Sequence, residues 1–335
     1  MIGCEEREQL ETVCLKVIVK KHQRRKYGCR CCGETIRLAP APPQAIEKSL
    51  AGPNLLAQVL VDKYGDHLPL YRQQQRFKRH GLSLSRATLW NWIRLSAMSL
   101  APLVEAMKKD LLVLDHLFSD DTPMPTQRHG SPERSGLQHH VMWVYTGLSS
   151  QGHALVLYDS TSSRGAEHPS RFLKDFSGYL QADAYGGYRP LLKDRPSIYL
   201  VGCMAHARRK FREAIIANPS SLAQEMVDAM GRLYKLEKVF KEKRLSPLLK
   251  AQQRQDKAEP ILQDINAWLI RHYPHVPPKT LLGKAIGYAL NHWASLTRYT
   301  QDGRLEIDNN RSERCMKKIV MGRKNYLFMG SHQGG

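Results

Sequence analysis

No run of apolar residues in this chain reaches the ~18 that a membrane-crossing helix needs, which excludes a helical span. A leader is not expected either. The N-terminal MIGCEEREQLE is acidic and polar where a signal peptide is basic and then apolar, so the expected location is the cytoplasm. Internal repeats and low-complexity stretches are absent, which excludes a solenoid or a disordered chain. Cysteine is sparse: seven in 335 residues, an odd number. In a reducing compartment that speaks against a disulfide framework and for thiols or metal ligands. Acidic residues are also short, 31 Asp and Glu against 51 Lys and Arg, for a net charge of +20. A surplus of this size points to a polyanionic partner, of which nucleic acid is the commonest.

What is present divides into five segments. Residues 12–38 alternate apolar and basic side chains, the pattern of a small β-ribbon, and the Pro-rich LAPAPPQAI that follows reads as a linker closing a first segment, 1–46. Residues 47–110 read as helical: one helix over Pro53–Tyr64, a second after Pro69, and a third over RATLWNWIRLSAM, capped by Ser83 or Ser85 beyond Gly81. Two helices around a short turn outline a helix-turn-helix, and Arg72, Arg76 and Arg86 make it basic enough to meet DNA. Over 111–212 the pattern becomes α/β. VLDHLFSD, HHVMWVYTGL, HALVLYDS, YLQADA and SIYLVGC read as strands of a mixed sheet, with a helix over 165–176. Residues 213–304 are helical again, and 305–335 hold a final helix starting near Asp308.

Chemistry on a phosphodiester needs hard anionic ligands for divalent cations, hence carboxylates at rigid places. Asp120 follows a strand-like run, Asp183 ends YLQAD before the AYGGY turn, and Glu313 shares the apolar stripe of Met316 and Val320 on the last helix. A carboxylate on such a stripe is costly unless it is paired or metal-bound. Asp115, Asp121 and Asp159 compete as strand-end acids. Equally, Asp120 or Asp183 could cap a helix, and Glu313 could pair with Lys317 one turn on. On residue pattern alone these alternatives stay open.

The longer motifs narrow them. SDDTPMP, YLQADAYGGYRPLL, VGCMAHARRKF, EIDNNRSER and GRKNYLFMGS, with DHLPLYRQQQRFKRHGLSLSRATLWNWI upstream, closely resemble the insertion-sequence-66 transposase family, in that family's order over nearly the whole chain. The resemblance implies a bacterial DNA transposase with a ribonuclease-H-like catalytic domain, split by an all-α insertion at 213–304 and preceded by the β-ribbon and the helix-turn-helix-like segment. It places the catalytic, metal-holding triad on Asp120, Asp183 and Glu313. It also implies Mg²⁺ or Mn²⁺, cleavage and strand transfer of double-stranded DNA at terminal inverted repeats and target sites, a homo-oligomeric synaptic complex, accessory proteins of the same element, and association with the nucleoid.

The Cys203-x-x-His206 pair is shared with other insertion-bearing transposases; with only two ligands it reads as structural, supporting the helix beside the site. The cations Arg208, Arg209, Lys210, Arg314, Lys317, Arg323 and Lys324 are expected on the DNA backbone, and Trp293 in the core of the helical block. Cys29 and Cys32 have half the spacing of a zinc site, with Cys4, Cys14 and His22 as irregular substitutes for an upstream pair that the family carries. Asp121 stands where the family usually has Glu, and Met204 where it has Trp. The family's N-terminal region and C-terminal tail are not in this sequence. A truncated copy is therefore expected, either active or reduced to a remnant that only binds transposon ends.

Overall fold

The computed structural model describes residues 16–28, 36–127, 137–327 and 329–330. Cys4, Cys14, Cys29 and Cys32, and with them the zinc expectation, lie outside the described residues. The chain divides into two compact units, Met1–Pro102 and Leu103–Gly335.

In the first unit the ribbon is short. β1 (Lys26–Gly28) and β2 (Ile36–Leu38) pair antiparallel, and residues 16–25 carry no regular structure. α1 (Pro53–Leu60) starts with Pro at its first position, where the missing N–H costs nothing, and runs into a π-turn over Val61–Gly65. α2 (Leu70–Arg79) and α3 (Arg86–Leu112) follow. The hydroxyl of Ser85 accepts the Thr88 N–H at 3.0 Å, so Ser85 rather than Ser83 caps α3. Leu56, Val59, Phe77, Leu89, Trp92 and Ile93 form the core. Asp62 is fully buried there, held by Arg76 at 2.9 Å and by the Gln58 amide at 2.7 Å. Arg76, expected on DNA, thus spends its charge inside the unit. Arg72 and Arg86 are exposed.

α3 is longer than RATLWNWIRLSAM suggests, passing through Pro102 to Leu112. The first expected strand starts later than VLDHLFSD suggests, while its other end extends. β3 runs His116–Gln127. β4 (Leu137–Leu148) and β5 (Ala154–Thr161) continue antiparallel, whereas β6 (Gly178–Gln181) and β7 (Ile198–Val201) lie parallel to β3. The result is one five-stranded mixed sheet in the order β5-β4-β3-β6-β7. Two Pro residues, Pro123 and Pro125, lie in β3; β6 ends opposite Phe118, and beyond it that edge of β3 meets Met329, whose N–H donates to the Pro125 carbonyl and whose carbonyl accepts the Gln127 N–H, each at 2.8 Å, so neither proline N is asked to donate there. The Asp115 carbonyl accepts the Tyr179 N–H at 2.8 Å and fixes the start of β6. Gly178 has φ +125°, and a Cβ there would come within 2.3 Å of the same carbonyl, so the close approach requires glycine.

One face of the sheet packs Leu117, Trp143, Tyr145, Leu180 and Ile198 against α4 (Glu167–Phe172) and α5 (Tyr188–Asp194). α4 is half the length expected for 165–176. After β7 come α6 (Met204–Ala217), α7 (Ser221–Glu242), α8 (Pro247–His272), α9 (Leu281–Asn291) and α10 (Trp293–Thr297). They bury their own core, including Phe211, Met230, Leu262 and Ile286, and Trp293 packs at its edge. At the heart of this block Arg254, fully buried, makes a two-pronged pair with Glu237 at 2.8 Å on each prong. It also donates to the carbonyls of Tyr299, Asp302 and Leu305. The last helix, α11 (Asn310–Tyr326), lies on β3 and β4. Among the described residues no helix is long and apolar enough to cross a membrane.

Candidate active site

Side chains alternate across a strand, so neighbouring Asp120 and Asp121 point to opposite faces of the sheet. Leu117 and Asp121 share the face covered by α4 and α5, while Phe118, Asp120, Thr122 and Met124 share the other. α11 covers that second face: Arg311 sits over the Phe118 ring, Arg323 donates to Thr122 and Pro123, and Ile319 packs by Met124. Glu313, in the first turn of α11, therefore shares the face of Asp120. Asp183 arrives from the neighbouring strand. The last parallel pair is Phe118 with Gln181, and Asp183 follows two residues beyond it, near enough for its charge to act on Asp120. Asp120 is not at a strand end as expected, because β3 continues to Gln127. It sits where β6 stops, which leaves open space beside a rigid central strand.

Asp120, Asp121, Thr122, His206, Arg209, Glu313, Met316, Lys317 and Val320 line a shallow cleft of about 320 Å³. The apolar stripe predicted on α11 is there. Glu313 does not pair with Lys317; instead its carboxylate faces His206 Nδ1 at 3.9 Å and Arg209 at 3.7 Å. Asp115 and Asp159 are occupied elsewhere, by Arg304 at 2.5 Å and by Arg171 at 3.9 Å.

Burial, reinforced by the negative charges of Asp183, Asp121 and Glu313, pushes the Asp120 carboxyl up to about 7. Its Oδ1 accepts the Asp121 N–H at 2.9 Å, and among the described residues it has no cationic partner. Burial also raises Asp121, against the pull of Arg164. Burial lowers His206, assisted by Arg209, so the imidazole favours its neutral form. Among the described residues no three His, Cys, Asp or Glu side chains are grouped closely enough to hold a metal ion. The acids around Asp120 are instead met by cations, Arg164 at Asp121 and Arg209 at Glu313.

The raised Asp120 has a consequence for stability. A carboxyl whose folded pKa lies above its unfolded value of 3.8 contributes stability that is full below that value and lost as pH rises through about 7. Metal-free Asp120→Asn protein is expected to match the parent near pH 4 and to melt higher than it at pH 8. Equal melting temperatures at pH 8 would show that Asp120 carries no such penalty.

Three polar residues distant in sequence hold the Glu313 helix against the sheet. Buried Gln181 donates to the carbonyls of Glu306 and Asp308 and accepts the Glu306 N–H at 3.2 Å. Asn309 donates its side-chain amide to the Ser119 carbonyl at 2.8 Å. The buried Cys203 thiol, pushed by burial up to about 12, accepts the Asn309 N–H at 3.2 Å. Cys203 precedes α6, and His206 in its first turn enters the cleft.

Comparison with known proteins settles the lineage. Residues 48–335 match the model of the Transposase IS66 family. This chain belongs to that family. It is similar to three proteins of Sinorhizobium fredii (strain NBRC 101917 / NGR234), each named as an uncharacterized protein. y4jD is 33% identical over all of this chain and 66% of its own length; y4qI is 33% identical over 100% and 63%. For y4hP the values are 31% identity, 99% and 62%. The chain thus spans about two thirds of the length of these curated relatives. No solved structure matches it.

Within this IS66-family chain, sequence reasoning missed Arg164. It lies in the loop after β5, bonds Asp121 at 2.8 and 3.1 Å, approaches Asp183 at 3.8 Å and stacks 3.9 Å over the Tyr185 ring. No local pattern marks it; only the sheet brings it to the acids. Of the expected DNA-facing cations, Arg209 and Lys317 line the cleft. Arg314 and Lys324 are exposed, Lys210 lies over the Tyr288 ring, and Arg323 is tied to β3. Arg208 rests over Tyr234.

Proposed function

We propose that this chain carries the catalytic part of a transposase that cleaves and joins double-stranded DNA with Mg²⁺ or Mn²⁺ held by Asp120, Asp183 and Glu313. The sheet and α11 would form a ribonuclease-H-like domain, with 213–304 as its helical insertion. One observation carries the reading: Asp183 and Glu313, both far from Asp120 in the chain, lie near enough for their charges to act on it, and Glu313 shares a cleft with it on the face of the central strand that α11 covers. Their chemistry fits a divalent ion. All three offer hard oxygen ligands, and the innermost carboxyl, raised by burial and then by its neighbours' charge, has no cationic partner among the described residues. A bound divalent ion would supply the positive charge that phosphoryl transfer requires and would ease loss of the attacking hydroxyl's proton.

The protein's own residues do the rest. β3 holds Asp120 rigidly, while Gln181, Cys203 and Asn309 hold the segment that presents Glu313. Arg209 and Lys317 at the rim would bind phosphates on either side of the reacting one, and neutral His206 would keep Glu313 oriented. Purified protein is expected to nick and join duplex DNA bearing the element's ends when Mg²⁺ or Mn²⁺ is added, and to stop on chelation. Strand cleavage that survives complete chelation would refute the metal-dependent mechanism.

A further inference from the structure

Beside the carboxylate cleft lies a second pocket, of about 380 Å³, between α6, α7 and the start of α11. α6 supplies Arg208, Arg209 and Arg212, α7 supplies Tyr234, and Asp308 and Asn310 close the far side. Arg209 lines both this pocket and the cleft. Arg208 and Arg212 stand four residues apart, so their guanidinium groups rise from one helix face.

Arg209 is paired with Glu313 at 3.7 Å, which leaves Arg208 and Arg212. Among the described residues neither Arg208 nor Arg212 enters an ion pair, and the buried Nε of Arg208 has no acceptor. The Tyr234 ring, 5.7 Å from the Arg208 guanidinium, orients that cation without neutralising it. Nor do the pocket's acids compensate. Asp308 accepts the Asn310 N–H at 3.1 Å and its amide at 2.7 Å, and burial raises its carboxyl above the usual range. Glu213 is exposed at the rim. A buried guanidinium N–H left without an acceptor is costly, so the pocket is suited to an anionic acceptor. Two guanidinium forks on one face match the tetrahedral oxygens of a phosphate.

We propose that this pocket binds a backbone phosphate of the DNA strand that continues from the carboxylate cleft, with Arg208 and Arg212 as its donors. Arg209 spans the two sites and sets the strand's direction between them. The inference rests on the DNA-processing reading of the cleft. The probe is a short fluorescent duplex titrated with the full chain, without divalent ions, over a range of salt concentrations. The Arg208→Gln/Arg212→Gln protein is expected to bind on the order of tenfold more weakly, with a salt slope lower by about two. A neutral methylphosphonate linkage walked along one strand should weaken the parent at one position and leave the double variant unchanged there.

Parent-like affinity and slope in the double variant, with the parent still binding DNA, would overturn the pocket and leave the cleft reading standing. A parent that binds no duplex would overturn both. If inorganic phosphate raises the melting temperature of the parent alone while the DNA slopes stay equal, the pocket takes the free anion, and the strand assignment fails. Arg212 is exposed and Arg208→Lys keeps the charge. The single Arg212→Gln and the Arg208→Lys proteins therefore separate a binding loss from a folding loss.

Discussion

Asp183→Asn protein is expected to lose metal-dependent strand cleavage and joining by on the order of 10³-fold, the several kcal/mol that a metal ligand contributes to phosphoryl transfer. Asparagine is nearly the same size and its carbonyl oxygen still accepts the Tyr185 N–H, which Asp183 takes at 3.2 Å, so the turn after β6 should persist. What disappears is one negative charge that acts on Asp120. The informative comparison is Asp121→Asn. Asp121 adjoins Asp120 and also borders the cleft, but its carboxylate is turned to Arg164 and bound there. Its loss should cost about tenfold at most, through a displaced Arg164. Single-turnover rates on end-bearing duplex, with equal folding checked by melting, make the comparison. Undiminished cleavage by the Asp183→Asn protein would remove Asp183 from the site, and an equal collapse in both variants would mean that the wrong carboxylate has been chosen.

The second large effect lies far from the acids. Arg254→Ala is expected to destabilise the second unit by about 3–5 kcal/mol, the usual cost of removing one partner from a buried ion pair. Arg254 is fully buried, and without it three carbonyls lose the guanidinium, of which that of Asp302 keeps the Leu305 N–H at 3.1 Å, while among the described residues Glu237 keeps Lys250 at 3.4 Å as its cation. One of those carbonyls belongs to Leu305, at the start of the segment that leads to Glu313. Activity should therefore fall together with stability. Replacing both partners, Arg254→Met with Glu237→Leu, should cost much less, since no charge is then left unpaired. Urea unfolding of the three proteins decides this. A single variant within about 1 kcal/mol of the parent, inside the ordinary range for surface substitutions and weak bonds, would show that the network is not holding the block.

Much of the site was legible before any fold was known. Period-two runs marked the strands, and Ser85 and the Pro residues marked helix starts, because each depends on neighbours a few residues away. The stripe of Glu313, Met316 and Val320 lines the cleft as its spacing implied. Element ends were less legible. α3 runs 14 residues past Met98, and β3 continues through Pro123 and Pro125 with β4 as its ladder partner there. Both outcomes reflect tertiary support that overrides local preference.

By itself, the sequence determined the cationic character of the chain, its order of helical and strand segments and, through long motifs, its family. Only the tertiary structure decided that Asp120 turns toward α11 while Asp121 turns to Arg164, that Arg76 and Arg254 are spent inside their units, and that Arg208 and Arg212 line one pocket without an ion pair among the described residues. Alternation and helical period are written in adjacent residues. Bonds such as Gln181 to Asp308 or Asn309 to Ser119 join residues more than a hundred positions apart. They exist because the sheet and its covering helices close around them, and no local pattern encodes that closure.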